Sequence, residues 1–213
     1  MNMTRQCRSP VRALQAVQLT RRALSLGAKQ KYSEFAPFLA IVLKLRPTTV
    51  LEIGRGSGGS LWALCHAAAE HGTIVSVDLP AGPFGGEDLS VETLERLRTF
   101  ACPHQCLHLI QSDSHAPETV ARVRALIPRI DLLFIDGDHT YEGVKVDYHL
   151  YSQLVPTGGI VAFHDVLHHP TFPECQVDRF WEELRGRKFV ITSSSELDAN
   201  GGQWGGIGIL EMD

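Results

Sequence analysis

The chain lacks any hydrophobic run long enough to cross a bilayer. Its longest apolar runs, such as Phe38–Leu43 and Ile160–Phe163, are far shorter than the roughly 20 residues that a membrane helix needs. A large excess of one charge is also missing, because Lys and Arg number 20, Asp and Glu number 24, and the formal net charge is −4. So small a negative charge argues against general binding to nucleic acid. We therefore expect neither a membrane nor a nucleic acid among the partners.

Patterned cysteines and internal repeats are missing as well. The five cysteines follow no regular spacing, which argues against a disulfide framework and favours a reduced, cytoplasmic setting. There is no low-complexity tract. A chain of 213 residues with 44% hydrophobic residues fits one α/β domain and leaves no room for a second domain of ordinary size.

Acidic residues are missing from the beginning of the chain, where the first of them is Glu34. We assign residues 1–33 to a basic N-terminal helical extension and residues 34–213 to the domain itself. An Arg-rich, acid-poor leader is typical of an organelle transit peptide, but it also suits a helix that packs on the domain or on a partner subunit. The second interpretation, which makes a homo-oligomer possible, relies on an apolar stripe. That stripe would consist of Val11, Leu14, Val17 and Leu24.

From residue 34 onwards, helical and strand-like segments alternate, which indicates a mostly parallel sheet with helices on both faces. The last two strands are expected to form an antiparallel hairpin. The predicted helices are Glu34–Leu45, a helix from the turn Gly54–Gly59 to about Glu70, and 91–101, 117–126, 141–154 and 176–185. The predicted strands are Thr49–Ile53, Thr73–Val77, 106–111, 131–135, 159–163, 188–193 and Gly206–Leu210. The fold class is therefore α/β, with a seven-stranded sheet.

Acidic and histidine side chains follow two of these strands directly. Asp136 comes after strand 131–135, and His164 and Asp165 come after strand 159–163. Parallel neighbouring strands bring their carboxyl ends to the same edge of the sheet, and ligands of open α/β folds bind at that edge. A cluster of Asp and His there predicts a metal site or an acid–base site.

The glycine-rich turn VLEIGRGSGGS is consistent with two kinds of nucleotide ligand. Gly54, Gly56 and Gly59 fit the G-x-G-x-x-G pattern of dinucleotide sites. Glu52, Gly54, Gly56 and Gly58 equally fit the acid-x-G-x-G-x-G loop of S-adenosylmethionine (SAM) enzymes. Both ligands need glycine for the same reason, since the backbone must turn sharply and approach the ligand without a Cβ.

Two acidic residues, Glu52 and Asp113, favour SAM over a dinucleotide, while a third, Asp78, suits the ribose hydroxyls of either ligand. Glu52 provides a counter-charge for the cationic amino-acid part of SAM, whereas it would repel a pyrophosphate. Asp78, at the end of the second strand, is placed for ribose hydroxyls, and Asp113, just past the third strand, for an adenine amino group. An NAD-binding oxidoreductase remains an alternative at this point, although the chain has no room for the second domain that such enzymes usually carry.

Residues 34–210 resemble the class I SAM-dependent methyltransferases, which have a seven-stranded Rossmann-like fold. Within that class the segments FIDGDHTYEGVKVD and VPTGGIVAFHD are similar to macrocin-type sugar O-methyltransferases and cephalosporin-hydroxylase-like proteins. The resemblance implies methyl transfer from SAM to a hydroxyl of a small molecule, such as a sugar or natural product. The acceptor pocket would be built by loops 79–90, 166–175 and 194–205.

The resemblance also implies a divalent metal beside the methyl donor, held by Asp136, His164 and Asp165. The family usually has an acid at the position of His164, so a mixed nitrogen and oxygen set would suit Mn²⁺ or Fe²⁺ better than Mg²⁺. His139, three residues after Asp136, would act as the general base, since an ordinary histidine pKa near 6.5 suits that role. The alternatives are that His139 only supports the start of a helix, and that methyl transfer needs no metal.

Overall fold

The computed structural model describes residues 10–84, 90–192 and 204–213 of the chain. Residues 1–9 of the basic extension and most of loop 194–205 lie outside the described residues, as do residues 85–89 of loop 79–90. The helices are α1 (Pro10–Ser25), α2 (Tyr32–Leu45), α3 (Gly59–Ala67), α4 (Val91–Arg98), α5 (Pro117–Leu126), α6 (Tyr141–Tyr151) and α7 (Val177–Glu183), and a short 3₁₀ turn (Ser152–Leu154) follows α6. The strands are β1 (Thr49–Ile53), β2 (Thr73–Asp78), β3 (Cys106–Gln111), β4 (Leu132–Ile135), β5 (Ile160–Leu167), β6 (Arg187–Ile191) and β7 (Gly205–Glu211).

The seven strands form one sheet in the order β3-β2-β1-β4-β5-β7-β6. The five strands from β3 to β5 are parallel, while β7 runs antiparallel to both β5 and β6. The predicted fold class and the closing hairpin are thereby confirmed. The strand order reverses between β1 and β4, and this switch point is where open α/β sheets bind ligands, outside the carboxyl ends of the strands.

The sheet is covered on both faces by separate apolar layers. One layer contains Phe35, Phe38 and Leu61 from α2 and α3, and the other contains Val144 and Tyr151 from α6. The central strands are almost entirely buried, with every residue of β4 inaccessible to solvent or nearly so. Runs of β-branched and aromatic residues without polar alternation are what strands buried on both faces require. This packing fixes the strand ends that carry the polar residues.

The described part of the basic extension, helix α1, packs against α2 and α3. The side chains that it buries are Ala16, Leu19, Thr20 and Ala23. The expected stripe is wrong in its orientation, since Val11 and Leu14 are 74% and 60% exposed. Two of the four buried side chains are alanines, because α1 approaches α3 closely, where a Cβ at Gly59 would lie 2.5 Å from Ala23 O. None of the described helices is long and apolar enough to cross a membrane.

Strand β5 extends further than predicted, to Leu167, so that His164 and Asp165 lie within it. The extra length is paired with β7, as far as Leu167 opposite Gly205, with an irregularity in the pairing between His164 and Leu167. The irregularity coincides with Asp165, whose φ of 58° is left-handed. The irregularity matters for the site, because in a regular strand the neighbouring residues His164 and Asp165 would point to opposite faces of the sheet.

Candidate active site

A cavity of about 710 Å³ opens at the carboxyl ends of the parallel strands. It is lined by the glycine loop after β1, by the ends of β2, β4 and β5, and by the linker between α1 and α2. A volume of this size is typical of small-molecule and cofactor sites. Of the residues predicted for the site, the cavity is lined by Gly54, Gly56, Asp78, Asp113, Asp136, His139, His164 and Asp165.

The glycine loop brings β1 and β4 into close contact. Gly54 has a φ of 86°, and a Cβ at this position would lie 1.9 Å from the carbonyl oxygen of Asp136. Gly56 also has a positive φ, and a Cβ there would meet nothing within 4 Å, so its backbone faces open space in the cavity. Gly58 lies behind the loop, where a Cβ would meet the side chain of Leu97. The first two glycines therefore shape the cavity, whereas Gly58 serves the packing of α3 on α4.

Asp78 holds the glycine loop from the neighbouring strand. Its Oδ1 accepts hydrogen bonds from the backbone N–H groups of Arg55, at 2.7 Å, and Gly56, at 3.2 Å. Its Oδ2 lies 3.8 Å from the guanidinium of Arg55, which is itself buried and donates to Ser76 O. Sequence reasoning missed Arg55, although an arginine between two loop glycines could have been noticed. Its place in the cavity wall makes the donor end of the site less acidic than the sequence suggests.

Glu52 lies in β1 beneath the glycine loop and is completely buried. Its two carboxyl oxygens accept hydrogen bonds of 2.6 Å from Ser60 and Ser76. Burial disfavours the charged form and raises the pKa of Glu52 to about 7, although the two serine hydroxyls oppose this effect. Glu52 is not among the described residues that line the cavity. Its role as a counter-charge for the ligand therefore stays a prediction, and a charge on Glu52 would act on the ligand across the glycine loop.

Asp113 lies at the opposite end of the cavity, after β3. Its side chain is 55% exposed, and its Oδ1 accepts a hydrogen bond of 2.8 Å from the backbone N–H of His115. The ring of His115 also lines the cavity and lies 3.3 Å from Asp147, a fully buried carboxylate of α6. The interaction with Asp147 raises the pKa of His115. Sequence reasoning missed this pair, because Asp147 looks like part of a solvated helix face.

The residues after β4 and within β5 form the predicted cluster. His164 Nδ1 lies 3.2 Å from Asp136 Oδ1 and 3.1 Å from Asp165 Oδ2. Although His164 and Asp165 are consecutive in a strand, both face the same site, because Asp165 has its left-handed backbone at the irregularity of β5. A non-glycine residue in this conformation costs about 1–3 kcal/mol and is typically found at functional sites. The predicted juxtaposition of the three side chains is therefore present.

Two residues from the N-terminal part of the chain, Gln30 and Glu34, form hydrogen-bond contacts with members of this cluster. Gln30, in the linker between α1 and α2, donates a hydrogen bond of 2.6 Å to Asp136 Oδ2. Glu34, in the first turn of α2, lies 2.8 Å from His164 Nε2 through its Oε1. Both are nearly inaccessible to solvent. Sequence reasoning missed them, because a polar residue at the start of a helix looks like an ordinary cap.

His139 lies between the two carboxylates of the cluster. Its Nε2 is 3.5 Å from Asp136 Oδ1, and its Nδ1 is 3.2 Å from Asp165 Oδ2. Burial on its own lowers the pKa of His139, but hydrogen bonds with Asp136 and Cys175 and the nearby negative charges outweigh it and raise the pKa to about 10. The expected ordinary pKa near 6.5 is therefore wrong for this arrangement. The cause is that both ring nitrogens face acceptors, which a sequence does not show.

The three residues predicted as metal ligands fit a divalent cation in several respects. Asp136, His164 and Asp165 each offer a ligand atom within 4.8 Å of the others. Despite burial, the neighbouring imidazolium rings lower the pKa of both carboxylates, so both are ionised as ligands must be. Despite its burial, the same contacts raise the pKa of His164, so a bound cation would have to displace a proton from that ring. Asp165 Oδ1 is buried and has no hydrogen-bond partner among the described residues. A second possible ligand group, His139, Asp165 and Cys175, shares only Asp165 with the first.

Aromatic rings form the wall opposite the cluster. Phe84 stacks on His139 with ring centroids 5.0 Å apart, and Phe172 meets Phe84 edge-on at 5.9 Å. The ring centroids of His169 and Trp204 are 4.9 Å apart, and the ammonium of Lys31 lies 3.9 Å from the centroid of the Trp204 ring. The described parts of loops 79–90, 166–175 and 194–205, the segments expected to build an acceptor pocket, each contribute some residues to the cavity lining, including Phe84, His169, Phe172, Cys175 and Trp204. The wall is thus mainly apolar while the cluster is charged.

The pattern of a known family, described as a methyltransferase domain, matches residues 51–166. This segment is just over half of the chain and includes the glycine loop, Asp136, His139, His164 and Asp165. An uncharacterized protein of Acanthamoeba polyphaga mimivirus is 29% identical over 144 residues, which are 66% of this chain. The chain spans 62% of the length of that relative.

Solved structures of several O-methyltransferases have a similar fold. The O-methyltransferase from Bacillus cereus in complex with S-adenosylhomocysteine (SAH) has a TM-score of 0.61 and 16% identity, covering 93% of this chain and 89% of that one. TomG from Streptomyces achromogenes, involved in tomaymycin synthesis and solved with SAM, has a TM-score of 0.57 and 17% identity, covering 99% and 93%.

MycE of the mycinamycin biosynthetic pathway, solved with Mg and SAH, has a TM-score of 0.51 and 22% identity, covering 71% of this chain but 39% of MycE. At these identities the similarity concerns the fold, and the matched family pattern decides between the two donors that the glycine loop left open. The chain belongs to the family of methyltransferase domains, and its fold is similar to that of O-methyltransferases solved with SAM or SAH.

Proposed function

We propose that the protein transfers the methyl group of SAM to a hydroxyl of a small molecule, with a divalent cation beside the donor. The observation that carries the proposal is one cavity containing both the glycine loop and the cluster of Asp136, His164 and Asp165. Similarity to O-methyltransferases of tomaymycin synthesis and of the mycinamycin pathway supports a sugar or natural product as acceptor. A homo-oligomer and a cytoplasmic location remain predictions.

SAM would bind at the end of the cavity that lies over the carboxyl ends of β1, β2 and β3. The backbone of Gly54 and Gly56 would approach the ligand closely, because no Cβ is present. Asp78 keeps that loop in place through its backbone hydrogen bonds. The proposed donor-binding residues are Glu52, Gly54, Gly56, Gly58, Asp78 and Asp113.

On the acceptor side, Asp136, His164 and Asp165 would hold a divalent cation, and His139 would take the proton of the hydroxyl. A divalent cation held there lowers the pKa of a hydroxyl bound to it and offsets the negative charge that acts on His139. Asp136 and Asp165 orient the ring of His139 and stabilise the imidazolium that forms when it accepts a proton. Alignment of the acceptor oxygen with the methyl group then supplies much of the rate.

Calorimetry with SAH, in the presence and absence of Mg²⁺ and Mn²⁺, tests donor and cation together. Replacing His139 with Ala should reduce turnover at least about 100-fold, the typical contribution of a general base, while leaving SAH affinity unchanged. His71→Ala is a matched control, because His71 is exposed and not among the cavity-lining residues. Equal losses of turnover and SAH affinity in His139→Ala would contradict the assignment.

Metal-independent methyl transfer is a second candidate, favoured by the surroundings of His164. Its Nε2 faces Glu34, and its Nδ1 faces Asp136 and Asp165. An imidazolium in this position would itself neutralise the carboxylates, as a metal cation would. The two candidates differ in one measurement, because methyl transfer that persists unchanged in excess chelator requires no bound metal.

A further inference from the structure

The buried carboxylate of Glu34 is fixed at several points beside the cluster. Its Oε1 accepts a hydrogen bond of 2.8 Å from the backbone N–H of Lys31, and its Oε2 accepts one of 2.7 Å from the backbone N–H of Gly206. The same Oε1 lies 2.8 Å from His164 Nε2. Glu34 therefore joins the start of α2 and the start of β7 to the ring of His164, and it is only 2% exposed.

This contact determines which nitrogen of His164 carries a hydrogen. A carboxylate oxygen can only accept, so the nitrogen next to Glu34, Nε2, must be the donor. Nδ1 also faces carboxylate oxygens, 3.2 Å from Asp136 and 3.1 Å from Asp165, so it carries a hydrogen too while the ring is an imidazolium. In the neutral ring that a bound cation requires, the contact with Glu34 keeps the remaining hydrogen on Nε2 and leaves the lone pair on Nδ1. Histidines that bind metals almost always donate their other N–H to such an outer carboxylate or carbonyl.

We propose that Glu34 is the positioning residue that makes His164 a nitrogen ligand, and that the site consequently selects Mn²⁺ or Fe²⁺ over Mg²⁺. This inference rests on the proposed cation site, and it adds which residue orients the ligand and which class of ion the site prefers. One imidazole nitrogen and two carboxylates are a ligand set that transition metals accept readily, whereas Mg²⁺ prefers oxygen alone.

Glu34 lies outside the matched family segment, residues 51–166. Its side chain reaches the cluster because α2 begins directly after the linker that lines the cavity. The position of Glu34 is therefore a property of this chain's own N-terminal packing.

Titration of the full chain with Mn²⁺ and with Mg²⁺ in a calorimeter tests the proposal. The wild type should bind Mn²⁺ more tightly than Mg²⁺. Glu34→Ala should lose about 10- to 100-fold in Mn²⁺ affinity, the usual effect of removing an outer-shell partner. Glu34→Gln should retain more of that affinity than Glu34→Ala, because its amide oxygen can still accept from Nε2–H, although its NH₂ then faces the backbone N–H of Gly206. Glu70→Gln is a control that removes an exposed carboxylate outside the cavity lining.

Two further measurements separate positioning from a loss of folding. SAH affinity of Glu34→Ala should equal that of the wild type, which a collapsed site would not allow. If Glu34→Ala does not fold, His164→Asp still tests the proposal, since an all-oxygen set should shift the preference towards Mg²⁺ at least 10-fold. Pulsed electron paramagnetic resonance of bound Mn²⁺ should show the ¹⁴N coupling of an imidazole in the wild type and not in His164→Asp.

The opposite results overturn the inference. If Mn²⁺ binds Glu34→Ala as tightly as the wild type, or if the bound ion shows no ¹⁴N coupling, Glu34 does not position a nitrogen ligand, and the proposed methyl transfer is unaffected. If neither ion binds the wild type while SAH does, both this inference and the metal part of the proposed function fail. Methyl transfer itself would still be testable in excess chelator.

Discussion

Replacing Glu52 with Gln tests how strongly the buried carboxylate beneath the glycine loop opposes folding. Glu52 is completely buried, and its pKa is raised from an ordinary 4.5 to about 7, chiefly because burial disfavours the charged form. Between these two pH values the folded chain binds a proton that the unfolded chain has released. The free energy of unfolding must therefore fall as the pH rises through this window.

The size of the effect follows from the two pKa values. Ionising a carboxyl whose pKa is about 7 when folded and 4.5 when unfolded costs about 3 kcal/mol once the pH is well above 7. Most of that loss should appear between about pH 5 and pH 8. Gln has the same shape and no charge, and Ser60 and Ser76 can still hydrogen-bond to it. Glu52→Gln should therefore be more stable than the wild type at pH 8 and lose this advantage towards pH 5.

Urea unfolding of both proteins at pH 5, 6.5 and 8, followed by circular dichroism, measures the difference directly. Other groups also titrate in this range, but they do so in both proteins and cancel in the comparison. Glu70→Gln is a suitable control, because it removes an exposed carboxylate and should leave the difference independent of pH. If the stabilities of the wild type and Glu52→Gln ran parallel from pH 5 to pH 8, the burial argument would be refuted.

Other substitutions test separate parts of the site and its frame. Gly54→Ala should cost about 3 kcal/mol or more, because its Cβ would lie 1.9 Å from Asp136 O and its φ is 86°; an unchanged urea midpoint would contradict this. Gln30→Leu should lower Mn²⁺ affinity at least about 10-fold in calorimetry, since it removes the donor that orients Asp136; unaltered binding would show that Asp136 needs no such support. Burial raises the pKa of Asp131, but hydrogen bonds from Thr48 and Thr49 outweigh it and lower the pKa. The ionised carboxylate of Asp131 should therefore stabilise the fold above an ordinary Asp pKa, and this contribution should be lost as the pH falls through the lowered pKa. Thermal unfolding should therefore show Asp131→Asn about 1–2 kcal/mol less stable at pH 6 and nearly equal to the wild type near pH 2; a constant difference would argue against this.

The strands around the cavity could be predicted from the sequence because the signals are local. Strand Thr49–Ile53 and the turn that follows it are defined by β-branched residues and by glycines with fixed spacing. The meeting of Asp136 with His164 follows from the general rule that parallel strands align their carboxyl ends. These features need no knowledge of how distant segments pack, so the fold and the candidate cluster were both predictable.

What could not be predicted depends on contacts between distant segments. The sequence predicts Asp165 in the cluster, but its position within β5 and the irregularity that turns it to the same site as His164 leave no mark in the apolar pattern. The raised pKa of His139 requires two carboxylates, from the end of β4 and from β5, at once. Glu34 is 130 residues from His164 along the chain, and its sequence neighbourhood indicates only the first turn of a helix. Pairs of this kind become visible only when the packing is known.

The residues of the site fall on both sides of the boundary of the matched segment. The glycine loop, the three residues of the cluster and His139 lie within the segment that matches the methyltransferase domain, residues 51–166. The side chains that orient the cluster, Gln30 and Glu34, precede this segment, and two rings of the aromatic wall, Phe172 and Trp204, follow it. The matched segment accounts for methyl transfer as a class of reaction. Under the proposed function, the choice of ion and of acceptor then depends partly on residues outside that segment, which orient His164 and Asp136 and complete the aromatic wall.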